Sequence, residues 1–157
     1  MLTRSKAETQ KLAARFAKKI LQATSYRRYS GASKLQANVI ALSGDLGAGK
    51  TTFVQGFSKA LGIKYKITSP TFLIIRRYQV SSIKHRVFKN FFHFDLYRIH
   101  KAKELLDLGF GRILKDSHNI LLIEWPEKIK KLLPKSTVWI NFKHGKKENE
   151  RSIRIST

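Results

Sequence analysis

Cysteine is absent from the 157-residue chain. That excludes disulfides, thiolate metal sites and cysteine nucleophiles together, and it suits a reducing compartment, the cytoplasm. Long apolar runs are missing too: no stretch approaches the roughly 18 uninterrupted apolar residues of a membrane span, and the N-terminus lacks the apolar core of a secretory signal. A soluble chain with no membrane partner is expected. The five histidines, His85, His93, His100, His118 and His144, have no metal-ligand spacing, which favours structural or surface roles. Acidic residues are scarce, 10 against 32 lysines and arginines, leaving a formal charge of +22. Self-repulsion on that scale points to an anionic partner such as RNA. The competing explanation is a lysine-rich compositional bias with solvated charges. The basic runs are short and spread, at Arg76-Arg77, Lys84-His85-Arg86, 128–131 and 143–147, with no disordered basic tail.

What is present suffices for a core. Hydrophobic residues make up 42% of the chain, and this length suits one compact domain. Ser5-Lys6-Ala7-Glu8 reads as a capping box, and Leu12, Ala13, Phe16, Ala17, Ile20 and Leu21 share one helical face. Residues 24–33 read as a loop before the apolar strand Val39-Ile40-Ala41-Leu42. Strand candidates follow at 72–80, 87–95 and 119–124, a helical pattern at 96–114 closes near Gly109 and Gly111, and the tail suggests a hairpin through His144-Gly145-Lys146-Lys147. The expected fold is a layered α/β domain of the phosphate-loop NTPase kind, with a central mixed sheet flanked by helices and a C-terminal hairpin.

The segment Gly44-Asp45-Leu46-Gly47-Ala48-Gly49-Lys50-Thr51 matches the phosphate-binding pattern G-x-x-x-x-G-K-[ST] in full, between a strand and the helical spacing of 52–61. Glycines let the backbone turn tightly so that N–H groups point at a polyphosphate. Lys50 would reach the β- and γ-phosphates, Thr51 would supply a hydroxyl for Mg²⁺, and the helix N-terminus would add its positive dipole end. Such a loop needs a carboxylate at a neighbouring strand end, and both Asp95 and Glu124 qualify. Thr71, in Thr68-Ser69-Pro70-Thr71, is a candidate γ-phosphate sensor or part of an ordinary proline turn. Trp125-Pro126 suits core packing. The guanine-reading N-K-x-D motif is missing, which favours ATP over GTP.

Further motifs sharpen this reading. The phosphate loop continued through Thr52-Phe53, then Ser69-Pro70-Thr71-Phe72, His93-Phe94-Asp95-Leu96-Tyr97-Arg98, Glu104-Leu105 and Ile123-Glu124-Trp125-Pro126-Glu127, occur in an order that resembles the bacterial TsaE (YjeE) family, from about Thr9 to Arg151. The resemblance implies a cytoplasmic ATPase subunit of the machinery that makes threonylcarbamoyladenosine in tRNAs reading codons that begin with adenine. Its partners would be the TsaB and TsaD proteins, with tRNA engaged directly or through the complex and no DNA expected. It further implies nucleotide contacts from 44–52, magnesium ligands at Thr51 and Glu124, a switch-like threonine at Thr71, and an essential Asp95 near the γ-phosphate. Trp125 would help coupling to partners, and nucleotide contacts would fall near Thr9 and Arg151. Departures are the long segment 24–36 and the heavy positive charge. Two other readings remain open: a small-molecule kinase, against which the short chain counts, and a nucleotide-gated RNA-binding module, which the charge supports.

Overall fold

The computed structural model describes residues 1–29, 38–70, 73–80 and 87–156, with side chains of the first segment described through Ser25. It is a mixed α/β structure whose seven strands form one sheet in the order β1-β7-β6-β2-β5-β4-β3. The strands are β1 (Leu2–Thr3), β2 (Asn38–Gly44), β3 (Ile75–Gln79), β4 (Asn90–Asp95), β5 (Asn119–Glu124), β6 (Val138–His144) and β7 (Arg151–Ser156). The centre is parallel, with β2 between β5 and β6 and β5 beside β4, whereas β3, β7 and β1 join antiparallel. All six residues of β5 are buried, as an apolar strand covered on both faces should be. The expected C-terminal hairpin is β6 with β7.

Helices cover both faces. On one, α1 (Lys6–Tyr29) and α2 (Lys50–Ala60) pack Ala13, Ala17, Leu21, Phe53 and Phe57 against Ile40, Phe91, Ile120 and Leu122. On the other, α3 (Ala102–Asp107), α4 (Phe110–Lys115) and a 3-10 helix (Pro126–Leu132) cover Phe92, Phe94, Leu121 and Ile123. The alternation 91/93/95 against 92/94 therefore sends His93 and Asp95 toward the α2 side. Gly56 lets α1 and α2 approach closely: a Cβ there would lie 2.3 Å from the Gln10 carbonyl oxygen.

The N-terminal capping box forms with a shift. Glu8 N–H donates to Ser5 Oγ at 3.1 Å, but the Glu8 carboxylate accepts from Arg4 N–H, one residue earlier than the motif requires. Other expectations need correction. Of the loop expected over residues 24–33, the first part is helical, because α1 runs on to Tyr29, and residues 30–33 lie outside the described residues. The strand expected at 72–80 starts only at Ile75, since the Leu73 and Ile74 amides both donate to the Pro70 carbonyl and Ile74 turns at φ 65°. Similarly, β4 begins at Asn90. The single helix expected over 96–114 is two short ones, separated at Gly109 with φ 82°, and Gly111 lies inside the second. Neither β1 nor the 3-10 helix was expected.

Candidate functional site

The parallel strands β2, β5 and β4 end together, and three groups of polar residues meet there. From β2 the chain enters the glycine loop and then α2, whose first residues are Lys50 and Thr51. From β5 and β4 come Glu124 and Asp95, which are register partners on adjacent strands. A cleft of about 330 Å³ opens between them, lined by Leu46, Gly47 and Gly49 of the loop, by Lys50, Thr51 and Thr52, and by Ser69, Asp95, Tyr97, Glu124 and Trp125.

Lys50 is buried, and its Nζ donates to the carbonyls of Gly44 at 2.7 Å and Asp45 at 2.8 Å. The ammonium also lies 3.8 Å from the Trp125 ring centroid, a cation–π geometry. Burial holds its pKa below the ordinary lysine value, opposed by the field of Glu124 first and then Glu127, Asp95 and Asp45. Thr51 Oγ1 stands 3.0 Å from both oxygens of Glu124. The Nε2–H of His93 donates to Glu124 Oε1 at 2.8 Å, and His93 is fully buried. Asp95 accepts from the Ser69 hydroxyl and, at 3.1 Å, from the Tyr97 amide. Glu124 and Asp95 are both almost wholly buried, so these contacts replace hydration that burial removed.

Gly44, Asp45, Leu46, Gly47, Ala48, Gly49, Lys50, Thr51 and Thr52 form the loop and the start of α2, and Asp95 and Glu124 face the same cleft. Arg151, at the start of β7, packs against the loop: a Cβ on Gly49 would lie 2.6 Å from its Nε. Thr9 does not line the cleft, but it touches Thr3, the register partner of Arg151. It is fully buried within α1, where its hydroxyl donates to the Ser5 carbonyl at 3.1 Å and lies 2.9 Å from Thr3 Oγ1. Thr71 lies outside the described residues.

Sequence reasoning missed several neighbours. His93 was grouped with the structural and surface histidines, yet it contacts Glu124. The available signal was its position two residues before Asp95 on an otherwise apolar strand, which puts both on one face. His144, from β6, places Nε2 3.0 Å from the Leu46 carbonyl oxygen. Trp125 is more than core packing: at φ 59° it turns off the end of β5, faces Lys50 and meets Tyr97 with ring centroids 5.2 Å apart.

The donor set is suited to a magnesium-bound polyphosphate. It offers a hydroxyl and carboxylate oxygens, hard ligands of the kind Mg²⁺ takes, beside a lysine that donates to loop carbonyls. Among the described residues no group of three or more His, Cys, Asp or Glu is placed to hold a metal, and Mg²⁺ commonly completes its shell with phosphate oxygens and water.

Known proteins resemble this chain in sequence and shape. The family model for the threonylcarbamoyl adenosine biosynthesis protein TsaE matches residues 3–153. The tRNA threonylcarbamoyladenosine biosynthesis protein TsaE of Borreliella burgdorferi is 39% identical over 106 residues, 67% of this chain and 72% of that protein. Its Bacillus subtilis counterpart is 37% identical over 119 residues, 76% of this chain and 69% of that protein. The crystal structure of Bacillus subtilis YdiB aligns with a TM-score of 0.61 at 28% identity, covering 98% of this chain and 80% of that one.

Proposed function

This chain belongs to the TsaE family, involved in tRNA threonylcarbamoyladenosine biosynthesis, and on that premise we propose that it binds Mg·ATP in the cleft, hydrolyses it to ADP and phosphate, and thereby resets a TsaB–TsaD complex between cycles. The observation that carries this reading is the convergence of Lys50 and Thr51 with Glu124 and Asp95 on one cleft. In the proposed state Lys50 leaves the Gly44 and Asp45 carbonyls for β- and γ-phosphate oxygens, keeping its charge in a water-poor site where it counts most. Thr51 and Glu124 would hold the metal, and His93 would keep the Glu124 carboxylate turned toward it. Bound there, Mg²⁺ supplies neutralisation of charge on the phosphate oxygens. Asp95, fixed by Ser69 and the Tyr97 amide, orients the attacking water or supports the metal. Arg151 would approach the phosphates from β7, and Thr71 would sense the γ-phosphate. The fold class that fits this reading is that of phosphate-loop NTPases, working in the cytoplasm as one domain.

Hydrolysis would report the γ-phosphate to partners rather than perform tRNA chemistry, with TsaD transferring the threonylcarbamoyl group. Isolated turnover should be slow if partner residues complete the site. The test is hydrolysis measured with and without purified TsaB and TsaD. Stimulation by the pair that Lys50→Ala abolishes supports the proposal, whereas phosphate transfer to a metabolite instead of water would reassign the chain to the kinases.

A further inference from the structure

A second cleft, of about 720 Å³, lies at the other end of α2, between the start of α1 and the segment that follows α2. It draws on the second half of α2, from Gln55 onward, and shares no lining residue with the first cleft. Four lysines line it, Lys6, Lys59, Lys64 and Lys66, with no acidic residue among the lining. All four are exposed, and none has an ion-pair partner among the described residues. Between Lys64 and Lys66 stands Tyr65, 77% exposed. Its floor is polar and fixed: Gln10 Nε2 donates to Gln55 Oε1 at 3.1 Å, and Gln55 Nε2 donates to the Ile67 carbonyl at 2.9 Å.

Solvated lysines alone would be unremarkable on a chain of this charge. The lysine at the end of α2, Lys59, also has a local reason to be there, the negative end of the helix dipole. Tyr65 has no such reason, since an aromatic ring this exposed contributes little to the core. An aromatic face set between cations is the pairing that single-stranded nucleic acid uses: bases stack on the ring while lysines follow the phosphates. The family's place in tRNA modification selects RNA over DNA. We propose that this cleft is an RNA-docking surface, with Tyr65 stacking on an unpaired base and Lys6, Lys59, Lys64 and Lys66 neutralising the adjoining phosphates. It is separate from the phosphate-loop cleft and does not depend on ATP hydrolysis.

The test is fluorescence anisotropy of the full chain with an unmodified tRNA transcript and a short oligouridylate across a salt series. Joint Lys64→Ala and Lys66→Ala should weaken both by at least about tenfold and reduce the magnitude of the salt slope by about 1.4, two phosphate contacts at the single-strand value. Tyr65→Ala should cost about tenfold with the slope unchanged, and Tyr65→Phe should retain binding. Joint Lys18→Ala and Lys19→Ala, on exposed positions of α1, removes the same charge elsewhere and should have a much smaller effect. Circular dichroism melting checks folding without nucleotide, so the ATPase reading can fail while this test stands. Equal losses in both lysine pairs, unaltered binding by Tyr65→Ala, or no RNA binding at low salt would overturn the proposal. So would loss of TsaB–TsaD association in the Lys64/Lys66 variant with RNA affinity intact, which would assign the surface to an acidic protein.

Discussion

Lys50 is held by two carbonyls and a tryptophan ring, and its burial disfavours its charge. Its pKa is lowered on folding, so the unfolded chain binds more protons between that lowered value and the ordinary lysine value. Its contribution to stability therefore rises with pH across that window. Phosphates would pull the pKa back up. Nucleotide binding in the window should take up a proton, and affinity should fall as pH rises through it; calorimetry in two buffers of different ionisation enthalpy reads this uptake, which Lys50→Ala should remove. That substitution should also slow hydrolysis about a hundredfold or more. His93 acts one step back. His93→Ala should raise the Mg²⁺ needed for half-maximal hydrolysis roughly tenfold to a hundredfold, as loss of a ligand's orienting partner does. An unchanged magnesium requirement would leave His93 a packing residue only. The loop, Asp95 and Glu124 were legible in sequence because motif and strand ends mark them. His93 was not, because a single histidine carries no spacing, and Trp125 was marked only through the family resemblance; the register of β4 against β5 and the turn after β5 bring them to the cleft.

Among the elements, α1, α2 and β5 were the most readable, since periodicity and a fully apolar run are local signals. The region between β4 and β5 was not. Its apolar positions suit one long helix, but the break at Gly109 divides it into α3 and α4. Glu104 marks where α3 starts: its carboxylate accepts from the Lys101 amide at 2.7 Å and the His100 amide at 3.1 Å, chiefly the former holding its pKa below the usual glutamate value. A lowered carboxylate pKa contributes stability above the unfolded value that is lost as pH falls through the folded one. Protection of the α3 amides against hydrogen exchange, taken relative to the intrinsic rate at each pH, should therefore fall on acidification, and Glu104→Gln should abolish that dependence. The α1–α2 contact offers a sharper stability test. With backbone atoms 2.3 Å from the position of an added Cβ, Gly56→Ala should cost about 1–3 kcal/mol in denaturant unfolding. A neutral result would mean that the two helices separate without strain.

For the whole molecule, the ends of the parallel strands gather the glycine loop and the two carboxylates, with His144 and Arg151 of β6 and β7 against the loop, while the basic cleft lies along the second half of α2 and the segment after it. Strand order could not be read from the sequence, because β2 pairs with β5 and β6 across long separations that leave no local trace. A ligand that binds only the folded chain stabilises it by mass action, about 2.7 kcal/mol at a hundredfold excess over Kd. Mg·ATP should then raise Tm by roughly 5–10 °C, and Lys50→Ala should lose most of that shift. The most direct measurement is multiple-turnover formation of threonylcarbamoyladenosine on tRNA by purified TsaB and TsaD supplied with threonylcarbamoyl-adenylate, with this chain or its Lys50→Ala variant added. Sustained turnover with the unaltered chain alone is the expected result. Equal turnover with the variant, or no effect of either while ATP is still hydrolysed, would contradict an ATP-driven reset.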